Sequence, residues 1–241
     1  MIGLAFVAAG SAAGLLGTIL LRRSGSGWRV GRLLSAAPQR SLAEVAAIAA
    51  RGEPAYVRVH GRVDSEEEFP SEDGKPIVFR RRRLQFHAGR SGWQTFEDER
   101  LAVPFGLAER GHRVGVDSEA LGDGLVVVPR ESVGVAADLT ADAVSGTLPR
   151  LSPDTPVRLR IEQVSAVDHA TAAGVPVMGE DGSVVLSAGL RRPLVLTTLE
   201  LDEAMRVLAS GRHRELLIGA GLLASAPLLV AFGLVLLVLV R

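Results

Sequence analysis

Cysteine is absent from all 241 residues. That excludes disulfides, thiol nucleophiles, iron–sulfur clusters and every zinc site built on thiolates. Net charge is also missing: 27 basic side chains balance 27 acidic ones, so there is no overall field to hold nucleic acid. Aromatic residues make up only 4% of the chain, too few for an interleaved stacking platform along its basic run, where Phe79 and Phe86 stand only at the edges. Familiar catalytic spacings are missing as well. His60, His87, His112, His169 and His213 show no HExxH or HxxxH spacing, and there is no GxSxG elbow, Walker loop or complete GxGxxG after a strand. Asp168-His169 reads as a turn or surface feature, because neighbours on a strand point to opposite faces. The sequence therefore assigns no catalytic residue, no cofactor and no metal ligand.

What is present lies first at the two ends. Residues 2–21 and 216–240 are apolar runs without a charged side chain, each long enough to cross the ~30 Å core of a bilayer at about 1.5 Å per helical residue. They are expected to be transmembrane helices. Arg22, Arg23, Arg29, Arg32 and Arg40 follow the first run, and Arg206, Arg212 and Arg214 precede the second, while Arg241 alone lies beyond it. The excess of basic residues on the inner flanks predicts a cytoplasmic middle with both termini outside, and Trp28 is a candidate interfacial anchor. Gly10, Gly14 and Gly17, with Gly221 and Ser225, form small-xxx-small spacings that let membrane helices approach one another or a second copy. Pro227 is expected to kink the second helix.

Residues 24–52 read as a flexible Ser24-Gly25-Ser26-Gly27 joint followed by an amphipathic helix. Ser41 and Glu44 form a capping box for that helix, and Gly52 ends it. Residues 55–200 change to short β-branched runs separated by turn residues, as a barrel or sandwich requires. Candidate strands are 55–63, 77–86, 93–96, 114–116, 125–128 and 157–161, with a hairpin of 175–178 and 184–187 around Glu180-Asp181-Gly182. Asp73-Gly74 and Asp123-Gly124 mark turns, and 141–156 is expected to be an exposed connection. A short helix should occupy 201–211. The fold class is thus two terminal transmembrane helices flanking a mainly β, barrel- or sandwich-like soluble domain with short helices.

The one charge-dense feature is Arg80-Arg81-Arg82-Arg83, preceded by Asp64, Glu66, Glu67, Glu68, Glu72 and Asp73. One reading pairs opposite charges across neighbouring strands. The other makes the four arginines a contact strip for an anionic lipid surface or a protein partner.

Several motifs occur in a telling order: the Val57 to Val63 strand with Gly61 inside it, Phe69-Pro70-Ser71, Pro76-Ile77-Val78-Phe79-Arg80, Trp93, Val103-Pro104-Phe105, and Gly111 before Val114-Gly115-Val116. That order, bracketed by two apolar runs, resembles the GIDE (also BAM, beside-a-membrane) domain proteins related to the mitochondrial membrane-anchored E3 ubiquitin ligase. In the eukaryotic relatives a zinc-binding RING follows the second span. With no cysteine and a chain ending at Arg241, ligase activity is not expected here unless the RING is supplied in trans. The family's middle domain lies on the non-cytosolic side, contrary to the orientation the basic flanks give. The resemblance implies a membrane-anchored binding or scaffold module whose partners are the bilayer and a protein, without nucleic acid. A helix-mediated homo-oligomer is a further expected partner arrangement, and the alternatives are a ligase-family member whose RING is absent or supplied in trans and a subunit of a membrane transport or quality-control complex.

Overall fold

The computed structural model describes residues 2–89, 92–139, 151–179, 181–210 and 213–239. They divide into two compact units, one made of the chain ends through 35 and from 205, the other of residues 36–204.

In the unit of the chain ends, α1 (Ile2–Ala36) packs on α4 (His213–Leu239). Gly10 makes their close approach possible: a Cβ there would lie 2.8 Å from Val230 Cγ2 and 2.9 Å from the Ala226 carbonyl oxygen. Phe6 meets Phe232 edge to face, with ring centroids 5.2 Å apart. Gly221, by contrast, has nothing within 4 Å. Gly10→Ala should therefore push the helices apart and lower the thermal midpoint. Gly221→Ala, in an open helical position, should leave it unchanged or raise it by removing glycine's entropy cost. The expected Ser24–Gly27 joint does not interrupt α1. The helix runs on to bury Val30 and Leu34 and to set Gly31 against Met205 of α3 (Leu201–Ser210), so packing overrides the low helix propensity of the Ser-Gly stretch. α4 likewise continues through Pro227.

The two-span expectation is corrected here. Among the described residues no helix is long and apolar enough to cross a membrane. α1 carries on past its apolar stretch into the arginine-bearing segment through Arg29 and Arg32. The assignment of 2–21 and 216–240 as transmembrane helices does not stand, nor does the localisation built on it, a cytoplasmic middle with both termini outside. The expected anchor Trp28 and the flanking Arg22, Arg23, Arg212, Arg214 and Arg241 lie outside the described side chains, as does most of the 141–156 connection.

The unit of residues 36–204 is built on twelve strands: β1 (Val57–Ser65), β2 (Phe69–Pro70), β3 (Pro76–His87), β4 (Trp93–Ala102), β5 (Phe105–Glu109), β6 (His112–Val116), β7 (Leu125–Val126), β8 (Arg130–Val135), β9 (Pro156–Ser165), β10 (His169–Met178), β11 (Val184–Ser187) and β12 (Val195–Thr197). The first sheet runs β1-β5-β6-β11-β10, and β10 returns to pair with β1, closing a barrel; β12 and β7 extend it from β10. All barrel pairs are antiparallel except β6–β11. Counted among barrel strands alone, the order is 1-2-3-5-4-1, the connectivity of OB-type Greek-key barrels. Here two of its connections are expanded, by β2–β4 and by β7–β9; β7 joins β12 in the first sheet, and the other five strands make a second antiparallel sheet in which β3 lies between β4 and β9 and β8 forms an edge.

Alternation explains the barrel. Val57, Val59, Gly61 and Val63 of β1 are buried inward, which turns Arg58, His60 and Arg62 outward. Leu107, Val114, Leu186 and Ala172 complete the interior. Helix α2 (Leu42–Ala50), capped by the Ser41–Glu44 box, lays Leu42, Val45 and Ile48 against the barrel strands β1, β6, β10 and β11. Gly52 beyond it takes φ +66°, the left-handed conformation glycine adopts without penalty. The strand expectations at 77–86, 157–161 and the hairpin of 175–178 with 184–187 match β3, β9 and the β10–β11 pairing, in which Met178 faces Val184. β2, β5, β8 and β12 fall outside the candidate strands.

Tyr56, the single tyrosine, anchors the start of β1. Its hydroxyl donates to the Pro193 carbonyl oxygen at 2.9 Å, and the Arg192 guanidinium lies 5.2 Å from its ring centre. Burial pushes its pKa up to about 12, against a smaller opposing effect of Arg192. Because the folded value exceeds the unfolded one of about 10, this stabilisation is complete below pH 10 and disappears as pH rises through 12. Phenolate absorbance of the native chain should titrate near pH 12; a midpoint near 10 would show the ring to be exposed.

Candidate functional site

The arginine run lies on β3, where successive residues take opposite faces, so the four side chains cannot form one strip. Arg81 is 5% exposed. Its Nε and Nη2 donate to the two carboxylate oxygens of Asp98 on β4 at 2.8 and 2.6 Å, and Nη1 donates to Asp123 Oδ1 at 2.8 Å and to the Gly122 carbonyl at 3.2 Å. These bonds hold both carboxyls below their usual range. Arg83, on the same face, donates to Glu162 Oε1 at 2.5 Å; burial lowers its pKa, and its Nε has no hydrogen-bond partner among the described residues. The network continues along that face: Glu162 accepts from Arg160, Arg160 and Arg158 reach Glu131, and Arg158 donates twice to Gln85 while covering the Trp93 ring at 4.6 Å. On the other face Arg82 pairs with Glu97 and Glu99, and Arg80 lies 5.9 Å from the Phe69 ring centre.

Arg81, Arg82 and Arg83 are thus occupied by carboxylates of β4, β9 and the β6–β7 connection. Their partners are not the acidic residues that precede the run, since Asp64 and Glu66 pair with Arg113, and Asp73 with Arg130. The hairpin carrying the opposing Glu97-Asp98-Glu99 was hidden because only the first residues of β4 showed a strand pattern. The resemblance motifs take structural places: Phe69-Pro70 makes β2, Trp93 opens β4, Val103-Pro104-Phe105 carries the chain from β4 into the barrel, and Gly111 turns β5 into β6 at φ +78°.

A concave site lies elsewhere, on the outer surface of the barrel. There His60 of β1, Thr171 of β10 and Thr197 of β12 stand side by side in cross-strand register, with His60 Nδ1 3.1 Å from Thr171 Oγ1. The segment before α2 borders them. Arg40 N–H donates to the Arg58 carbonyl, Arg58 N–H donates to the Pro38 carbonyl, and Arg58 Nη2 donates to Gln39 Oε1 at 3.3 Å. Leu199 and Leu201 supply an apolar wall, and the cleft encloses about 210 Å³. One pair further along, Arg62 faces His169 across β1 and β10, and the His60 and His169 rings stack at 5.9 Å, 14° from parallel.

The polar lining groups are a guanidinium, an imidazole, two hydroxyls and an amide. Among the described residues no carboxylate is part of the cleft's lining. Among the described residues no cluster of three or more His, Cys, Asp or Glu side chains could hold a metal ion. The outward side of β1 is legible in its Val57–Val63 alternation. Thr171, Thr197 and Gln39 come from remote segments and carry no spacing signal. Compared with protein-family models, curated proteins and solved structures, the chain finds no match.

Proposed function

We propose that the chain is a noncatalytic binding or scaffold module that takes its partner on the outer surface of the barrel around β1, β10 and β12. The observation that carries this reading is the convergence of a guanidinium, an imidazole, two hydroxyls and an amide on one cleft. The outward side of β1 presents Arg58, His60 and Arg62 together. The resemblance to the GIDE modules points the same way, toward recognition rather than chemistry.

A photocrosslinking residue placed at Arg62 of the full-length chain should give a discrete adduct in the cell of origin, and His60→Gln or Arg58→Gln should abolish it. The same residue placed at Arg80 tests the arginine run directly. Adducts from position 80 alone would move the partner surface to the second sheet and overturn the proposal.

A further inference from the structure

The turn between β11 and β12 holds two side chains in strained backbone. Gly189 N–H donates to the Arg192 carbonyl at 3.1 Å and Arg192 N–H donates to the Gly189 carbonyl at 2.8 Å, enclosing Leu190 at φ +54° and Arg191 at φ +58°. Both central residues of this two-residue hairpin turn are therefore left-handed, in positions that Asn-Gly ordinarily fills. The turns at 110–111 and 181–182 end on glycines with φ +78° and +79°. Here neither central residue is glycine, so each side chain is kept at a conformational cost. Packing does not require them: Leu190 is 52% exposed, and Arg191, Arg192 and Pro193 are exposed as well. Among the described residues no carboxylate pairs with either arginine. The base of the turn is fixed. The Tyr56 hydroxyl donates to the Pro193 carbonyl, the Arg192 guanidinium stands by the Tyr56 ring, and a Cβ on Gly189 would lie 2.9 Å from Val175 Cγ2.

Strain kept at an exposed, rigidly based tip points to a function for the side chains it presents. We infer that this tip is a contact for an anionic lipid surface, in which Leu190 enters the apolar boundary beneath the headgroups while Arg191 and Arg192 meet lipid phosphates. The contact is with the face of a bilayer, not a crossing of it, and it is independent of the cleft around β1, β10 and β12. A leucine can stand at the apex of a two-residue turn only in the left-handed region, so the strain follows from placing it there. The size of the tip favours lipid over a protein partner. A stable protein interface draws on about 20–30 residues from each side, and the tip supplies one large apolar side chain and two charges. A headgroup surface accepts so small a convex insertion, because apolar burial and attraction of basic residues add one residue at a time. The attachment that results is weak and reversible.

The absence of cysteine allows a single label in the full-length chain: Ala188→Cys, carrying a polarity-sensitive fluorophore beside the tip. Vesicles of phosphatidylcholine, vesicles of an equal mixture with phosphatidylserine, and polyglutamate are titrated separately. Emission should move to the blue, saturably, with the phosphatidylserine vesicles and much less with phosphatidylcholine alone, and salt should weaken the response. Leu190→Asn combined with Arg191→Gly, the pair this turn prefers, should raise the thermal midpoint by a few degrees yet weaken the vesicle response at least about tenfold. A purely structural turn would not combine greater stability with lost binding. Arg191→Gln alone should weaken the response about fivefold, while Arg110→Gln, an equal charge change at the β5–β6 turn, should leave it unaltered. Silence with phosphatidylserine vesicles, a response to polyglutamate alone, or undiminished binding by the double variant overturns the inference. A lowered midpoint in the double variant removes the strain argument and the inference with it.

Discussion

Arg81→Met will lower the unfolding free energy by about 3–5 kcal/mol, the cost of removing one partner from a buried ion pair. The arginine is nearly inaccessible and ties β3 to Asp98 on β4 and to Gly122 and Asp123 beyond β6. Its loss leaves the one-third-exposed Asp98 with, among the described residues, a distant Arg100 contact at 3.9 Å. Asp123, mostly open to water, should contribute little. Urea unfolding of native and variant chains measures the difference. Arg83→Met should cost less, because Glu162 keeps Arg160 as a partner and a buried Nε without a bond disappears. Equal losses would mean that the geometry around Arg81 has no special weight. The double replacement Arg81→Met with Asp98→Leu should recover most of the stability, since apolar groups of similar volume substitute well for a buried pair. Acid provides a second reading. The folded pKa values of Asp98 and Asp123 are depressed, chiefly by hydrogen bonds from Arg81. The stabilisation they give is full above the unfolded carboxylate value near 4 and is lost as pH falls through the lower folded values. Stability should therefore decline less steeply on acidification in the double variant than in the native chain.

Gly124→Ala should be at least as damaging. A Cβ there would sit 1.8 Å from the Leu194 carbonyl oxygen, far inside contact distance and against backbone rather than a flexible side chain. The glycine N–H donates to Leu121 O at 2.7 Å, and its carbonyl accepts from Leu196 N–H at 3.0 Å. No shift of residue 124 relieves the clash without breaking the join between β7 and β12. We expect a loss of more than about 3 kcal/mol, in the range of severe overpacking, or failure to fold. Gly74→Ala is the informative comparison: it has φ +72° and open space around it, so only conformational strain of about 1 kcal/mol applies. A similar small loss at 124 would show that the β7–β12 join is loose.

Much of the barrel can be read in the chain because its strands alternate. Val57, Val59 and Val63 announce an inward face, and the β10–β11 hairpin is marked by its turn residues. The helix at 42–50 is legible because Ser41 and Glu44 are a local signal with a local consequence. β4 was visible only at Trp93 to Phe96, since its remaining positions, Glu97 to Arg100, are charged on both faces. They are charged on both faces because β3 presents arginines on both, a cross-strand cause that no window of sequence contains. β12 is a short strand that owes its pairing to β10 and β7. The terminal runs misled by a different route: apolar content signals a need for cover, and in the fold Gly10 packs on Val230 and Phe6 on Phe232. The cleft was least accessible, because Gln39, His60, Thr171 and Thr197 meet only once the barrel is closed.

The insertion of β2–β4 and β7–β9 into two separate barrel connections has a kinetic consequence. β1 must wait for the chain to travel through a long detour before it meets β5, and it pairs with β10 more than a hundred positions away, as Val57 with Gly174 shows. Closing such distant loops costs entropy before any contact returns it. Acquisition of the native state should thus be slow for a body of this size. Because each sheet interrupts the other, neither has a continuous stretch of polypeptide from which to assemble first. A single exponential phase on refolding, reported alike by Tyr56 in the barrel and Trp93 in the second sheet, is the expected signature.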